Sequence, residues 1–379
     1  MTTWLIVPRD PLVVRDGRIN DGRSESATLR FPVPSMVAGW VRTRVGSSER
    51  GYFACDDLED LKRSAIRGPL LVRVDDDAST FFAPAPRDAV WGVDSEGRSV
   101  VHAMQDISTE DAATDQDPFE GHWVGMPPGF RGKPPAKVPA LWSWSAFERW
   151  LVAPREVEAG AIEAEAVDIG HDERMHVRIG ETETAVEGML FGTTGLVFAD
   201  KGGGNGLTPR QLGLAVDVST DAMRSPISIK PGIFPAGGER RLVRWQPSKT
   251  PWPGPPDAVV ARVRTGARCR IRVILLTPAI FAEGWRPRWL LEQRDGVSVR
   301  LVGAVVPRPE TISGWDFARN EPKPTRRLVP AGSVFLLELD GEPEARSRWV
   351  KRIWLQNVSD DEQDRRDGFG LASVGVADG

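Results

Sequence analysis

Phe31-Pro32-Val33-Pro34-Ser35-Met36-Val37-Ala38-Gly39-Trp40-Val41-Arg42-Thr43-Arg44-Val45 passes from a proline-spaced entry into a helical pattern. Met36, Val37, Trp40, Val41 and Val45 recur at helical spacing, and Ser35 stands where an N-cap is expected. Upstream, Trp4 to Val7 is a strand candidate that resumes at Leu12-Val13-Val14 after Pro8 and Pro11 interrupt it. A loop, Arg15-Asp16-Gly17-Arg18, separates it from the helix. Downstream, a shorter helix is expected over Leu58 to Ile66. Pro69 to Val74 and Thr80 to Ala83 then flank Asp75-Asp76-Asp77 and read as a hairpin. Strand, helix and hairpin in that order open a βαββαβ, ferredoxin-like unit.

The remainder alternates short strands with short helices, which indicates an α+β protein. Residues from about 88 to 137 are acidic, then rich in Gly and Pro, and read as a long insertion. Ser145 and Glu148 form a capping box for a short helix carrying Phe147, Trp150 and Leu151. Arg174 to Ile179 alternates strictly, with Met175, Val177 and Ile179 on one face and Arg174, His176 and Arg178 on the other. Leu212, Leu214, Val216 and Val218 alternate as another strand. Pro247 to Pro256 holds five prolines and reads as a stiff connector. A helix is expected from Pro256 to about Thr265. Strands follow over Cys269–Leu275, with Arg268, Arg270 and Arg272 on the polar face, and over 297–306 and 329–339. A helix over 346–355 and, over 368–375, a glycine-rich loop running into a β segment close the chain. The expected division is 1–145 and 146–379.

At 379 residues the chain is long enough for about two domains. Hydrophobic residues at 40% and charged residues at 27% suit a globular chain and exclude a disordered one. The longest uncharged apolar run, Val273 to Ala282, is shorter than the roughly 18 residues of a membrane span. No basic segment precedes Trp4-Leu5-Ile6-Val7, so no signal peptide is read. Cys55 and Cys269 support neither a disulfide framework nor a metal knuckle. A cytoplasmic protein is expected.

Charge is distributed unevenly. The net charge is −4, yet Asp88 to Glu120 holds nine acids and one base, while Met223 to Arg327 holds twenty bases and eight acids. Of 49 basic residues 41 are Arg, whose planar fork suits phosphates and stacks on bases. That pattern fits a subunit holding a polyanion on one side and another partner on the other.

Standard catalytic signatures are missing. There is no phosphate loop of the GxxxxGK[ST] type, no HExxH and no GxSxG elbow. His102, His122, His171 and His176 lack metal-ligand spacing, so no metal and no cofactor are expected. The Arg174/His176/Arg178 face has three readings: a general base flanked by cations, a solvated strand face, or a non-catalytic contact to phosphate or base. Fourteen tryptophans stand against one tyrosine, and most should be core. Trp285 and Trp315 differ, because each follows a glycine and lies close to arginines, a setting that presents an indole for stacking on an unpaired base.

Several blocks together resemble one family. Residues 11–18 with Phe31-Pro32-Val33-Pro34-Ser35-Met36-Val37-Ala38-Gly39 are similar to the opening of RAMP proteins from CRISPR effector complexes. Glu173-Arg174-Met175-His176-Val177 with Glu187-Gly188-Met189-Leu190-Phe191 resembles a second block. Leu276-Thr277-Pro278, Phe281 and Gly284-Trp285-Arg286-Pro287 resemble a third. Ile312-Ser313-Gly314-Trp315-Asp316 with Pro330-Ala331-Gly332-Ser333-Val334 narrows the resemblance to the third-subunit family of type III-B (Cmr) complexes. Gly368-Phe369-Gly370 resembles the glycine-rich loop of the superfamily. The resemblance implies tandem ferredoxin-like (RRM-like) domains and no nuclease activity. It also implies a grip on the repeat-derived 5′ tag of the CRISPR RNA, with docking to the large polymerase-like subunit and to a backbone RAMP subunit. On that basis Arg15, Arg18, Ser35, Arg42, Arg174, His176, Gly368 and Gly370 are expected tag contacts. Arg286, Arg326 and Arg327 are added from charge alone. The alternative is a metal-independent repeat RNA endonuclease with His176 as base, because relatives with this fold cut repeat RNA.

Overall fold

Trp4, Leu5, Ile6 and Val7 are all buried, so the opening strand β1 (Thr2–Pro8) has no face left for water. Alternate residues feed two different cores: Leu5 and Val7 enter one, Trp4 and Ile6 the other. This places β1 in the middle of a sheet. The computed structural model describes residues 2–15, 28–48, 51–76, 78–94, 96–108, 122–126, 135–181, 184–200, 209–224, 227–265, 268–316 and 321–377. Arg18 lies outside the described residues.

After β1 come helix α1 (Pro34–Val45), strands β2 (Ala65–Val74), β3 (Ser79–Pro84) and β4 (Leu141–Ser143), and helix α2 (Trp144–Val152). A long ribbon follows, β5 (Gly170–Ile179) and β6 (Ala185–Val197), then β7 (Arg210–Ser219), β8 (Gly232–Ala236) and β9 (Arg241–Pro247). The first sheet runs β8-β9-β1-β7-β2-β3-β4, with the short strand Ala199–Asp200 on β7. All neighbours are antiparallel. The expected division at 145/146 runs through this sheet, since β7 and β9 follow it in sequence and flank β1 in space. The expected hairpin is β2/β3. The helix expected over 58–66 is one turn, Leu58–Leu61, because Ala65 and Ile66 already belong to β2.

Two cap assignments need correction. α1 begins at Pro34, with Val33 as the flanking residue and no side-chain cap; Ser35 lies inside the first turn. Proline fits there because its fixed φ suits a first helical position that needs no N–H donor. At α2 the cap is Ser143 rather than Ser145: its Oγ accepts from the Ala146 N–H at 3.2 Å. Burial of Trp144 draws the helix start forward.

The second half holds α3 (Asp257–Arg262), β10 (Arg268–Leu275), β11 (Ser298–Val305), β12 (Glu310–Ile312), β13 (Arg326–Leu328) and β14 (Val334–Asp340). It ends with α4 (Pro343–Ile353), β15 (Gln356–Asn357), α5 (Glu362–Arg366) and β16 (Leu371–Val376). Its sheet runs β11-β14-β10-β16-β15, and β12 pairs with β13 separately. Trp349, Val350 and Ile353 of α4 pack on it.

The segment expected as an insertion carries ordered structure. Ala89–Val93 pairs with Ser99–Ala103, and Gln105–Ser108 with His122–Gly125. Asp88, at its start, is buried; its carboxylate accepts from Arg272 at 2.6 Å and from the Trp150 indole at 3.0 Å. Arg272, read from sequence as part of a polar strand face, is enclosed: it is 4% exposed, and its Nε donates to the Val376 carbonyl at 2.8 Å. The proline connector is also packed. Trp252 lies 5.7 Å from Phe81 between ring centroids, and the Trp354 indole donates to the Pro253 carbonyl at 2.8 Å. Among the described residues no helix is long and apolar enough to cross a membrane.

Candidate nucleic-acid interface

Phe369 is fully buried and shares a small cluster with Val33, Ile312 and Leu328, against which Met36, Leu29 and Ile280 pack. That contact joins four segments remote in sequence: the start of α1, the β12/β13 ribbon, the loop after β10 and the glycine turn before β16. Thr277 fastens the turn. Its hydroxyl donates to the Gly368 carbonyl at 2.8 Å and accepts from the Leu371 N–H at 2.8 Å.

Gly368 and Gly370 are themselves buried. A Cβ on Gly368 would stand 2.6 Å from the Gly68 carbonyl oxygen, and its φ of +94° disfavours a side chain in any case. The close approach these glycines permit is thus to the protein's own backbone.

Two of the expected arginines are committed inside this knot. Arg42 reaches from α1 to the Asp367 carboxylate at 2.5 Å, with 17% of its side chain exposed. Arg326 pairs with Asp364 and lies over the Phe369 ring at 5.3 Å. Burial pushes the Asp364 carboxyl above its usual range, and the Arg326 guanidinium opposes that shift.

Arg286 and Arg327 differ. Both are exposed, and neither guanidinium has a partner among the described residues. Gly284, at φ +77°, makes the turn that presents Trp285, whose surface is 37% exposed. The Asp360 carboxylate clasps both ends of that turn, accepting from the Ala282 N–H at 2.8 Å and from the Trp289 N–H at 2.8 Å. Beside it opens a cavity of about 430 Å³ lined by Trp285, Val306, Pro307, Pro309, Arg327 and Leu328. Pro307 and Pro309 were not singled out by sequence. Their spacing around Arg308 is the signal that marks a rigid wall with a cation on it.

The remaining candidates lie on and below the β5/β6 ribbon. Arg15 pairs with Glu239 at 3.0 Å and keeps 42% of its side chain exposed. Residue 15 bridges Thr28, whose hydroxyl donates to the Thr194 carbonyl at the root of the ribbon. Arg174 pairs with Asp172 at 2.7 Å, and half of its side chain is exposed. His176 stacks on Phe191 at 5.3 Å and shares a hydrogen bond of 2.9 Å with the buried Thr193 hydroxyl. The imidazole is thus held along the ribbon by its own cross-strand neighbours. The opposite face leaves Met175, Val177, Ile179 and Leu190 exposed. Leu29 packs against both the first-half core and the Phe369 cluster, which links the two groups of candidates.

The family model described as CRISPR-associated protein (Cas_Cmr3) matches residues 4–377. The chain belongs to that family. The resemblance read in the sequence blocks holds at this level for the Cas_Cmr3 chain, and it spans both sheets. A search of curated proteins finds none that matches. Among solved structures, one titled Type III-B Cmr-beta bound to cognate target RNA aligns at 16% identity, covering 88% of this chain and 86% of that chain, with a TM-score of 0.47. The same complex with target RNA and AMPPnP, state 1, gives the same values: 16% identity, 88% and 86% coverage and a TM-score of 0.47. A chain of the Csm3-Csm4 subcomplex of a type III-A CRISPR-Cas interference complex aligns at 9% identity, covering 88% of this chain and 92% of that one, with a TM-score of 0.35. Likenesses this distant carry no argument, and the family match stands without them. In this Cas_Cmr3 chain four of the five blocks that carried the resemblance meet around Phe369, although Arg42 and Arg326 are ion-paired there and Gly368 and Gly370 are buried.

Proposed function

We propose that this chain is a non-catalytic subunit of a type III-B (Cmr) complex that grips the 5′ tag of the CRISPR RNA and docks against the large polymerase-like subunit and a backbone RAMP subunit. The observation that carries the reading is the convergence of four sequence blocks on one knot whose rim presents Arg286 and Arg327, cations without a partner among the described residues. Partly exposed Arg15 and Arg174 extend that surface toward the ribbon. Phosphates require donors of this kind, and splayed bases require exposed rings beside them; neither requires an acid or a base. Strand orders support reading both sheets as ferredoxin-like. In β9-β1-β7-β2 and in β16-β10-β14-β11 the fourth, first, third and second strands of a βαββαβ plan lie side by side. On that reading the halves divide within Pro247–Pro256 rather than at 145/146.

The test is purification of the assembled complex with this chain tagged, followed by ultraviolet crosslinking to the guide. Crosslinks to the repeat-derived leading end support the reading; guide bound normally by particles lacking this chain would overturn it. Incubation of the purified chain with repeat RNA checks the absence of catalysis. Cleavage that disappears in His176→Ala would replace a clamp with a nuclease.

A further inference from the structure

We propose that the cavity beside Trp285 is a subsite for one unpaired nucleobase, stacked on the indole with its 5′ or 3′ phosphate held by Arg327. This rests on the RNA-binding reading above and names the part of the strand that enters the protein. Three features point to a nucleotide. First, the walls suit a flat ring: the indole on one side, with Pro307 and Pro309 among the residues of the lining. Every base has a face that stacks, and stacking is worth about 1–3 kcal/mol per base, a loss of roughly 5- to 150-fold in affinity. Second, the volume of about 430 Å³ lies within the range of small-molecule sites and exceeds what a single apolar side chain would fill. Third, the rim is cationic: Arg286, Arg288, Arg308 and Arg327 are exposed around the loop and the strands that frame it, against exposed Glu283 and Glu310. A docked apolar peptide would gain nothing from that excess, whereas a phosphodiester would.

The site is also pre-ordered. Asp360 clasps the Trp285 turn at both ends, and Gly284 adopts a backbone conformation that most other residues would resist. Stacking therefore proceeds without the cost of ordering a loop.

The experiment measures binding of the full-length chain to a single-stranded RNA of about ten nucleotides, with one abasic residue stepped along it. The subsite predicts one position whose abasic form binds about tenfold more weakly. Trp285→Ala should lower affinity by a similar factor and abolish the further loss at that position, while Trp285→Phe keeps most of the affinity and so excludes misfolding. RNA bound tightly but with equal affinity by wild type and Trp285→Ala, or no sensitive position, would overturn the subsite and leave the RNA-binding reading intact. Loss of co-purifying protein subunits in Trp285→Ala with unchanged RNA affinity would assign the cavity to a protein partner and also overturn it. No RNA bound by the chain, alone or in its complex, would remove the broader reading.

Discussion

Among the described residues Arg286 and Arg327 have no carboxylate partner, whereas Arg42 and Arg326 are held by Asp367 and Asp364. An unpaired exposed guanidinium meets a phosphate without first breaking an ion pair. Arg286→Ala and Arg327→Ala should therefore each weaken single-strand binding and flatten its salt dependence by about 0.7 in the log–log slope. Titrations at several salt concentrations check this. Arg272 tests the opposite role. Its guanidinium and the Asp88 carboxylate are both almost wholly enclosed, so Arg272→Met leaves a buried charge uncompensated. A loss of about 3–5 kcal/mol is expected in urea unfolding, largely recovered when Asp88→Leu is added. Charge alone could not separate these arginines in the sequence. Arg272 and Arg286 carry the same group, and only the acid brought up from residue 88 distinguishes them.

At the scale of elements, Ser143 serves two purposes. Its Oγ caps α2 and its hydroxyl donates to Glu165, as does that of Ser145. These two hydroxyls hold the Glu165 carboxyl below its ordinary range. A lowered folded-state pKa stabilises fully above the ordinary glutamate range, and the benefit is lost as pH falls through the lowered value. Ser143→Ala should therefore cost about 1 kcal/mol from the cap at any pH. The additional loss through Glu165 is seen near neutrality and shrinks in acid; unfolding curves at several pH values separate the two. The strands were the legible elements: β1, β7, β10 and β16 have apolar patterns that only a sheet accommodates. Their order was not legible. β7 and β9 reach β1 across a segment that reads as insertion by composition, yet Trp91, Val101 and Ala103 enter the main core. Helix starts shifted because local cap preference is weaker than burial of Trp144 or the fixed geometry of Pro34.

For the whole molecule, the glycine turn is where the halves are pressed together. Gly368→Ala drives a Cβ into the Gly68 carbonyl of β2 at a φ that resists it, so a loss of about 2 kcal/mol or more is expected by thermal unfolding. Gly160→Ala is the control: it lies in the helix Ala159–Glu165 with nothing within 4 Å of a new Cβ, and stability should hold or rise. For the candidate site, the sequence showed which blocks carry the family resemblance but not which way they face. Spacing says nothing of whether a glycine yields room to a ligand or to the neighbouring strand.

The proline connector has a consequence for assembly. Trp252 is wedged against Phe81 on one side, and the Pro253 carbonyl is tied to Trp354 on the other. The segment is a splint, not a hinge. The mutual angle of the two sheets is settled when the chain folds, so on the function proposed above a strand captured across both would carry no entropic penalty for aligning them.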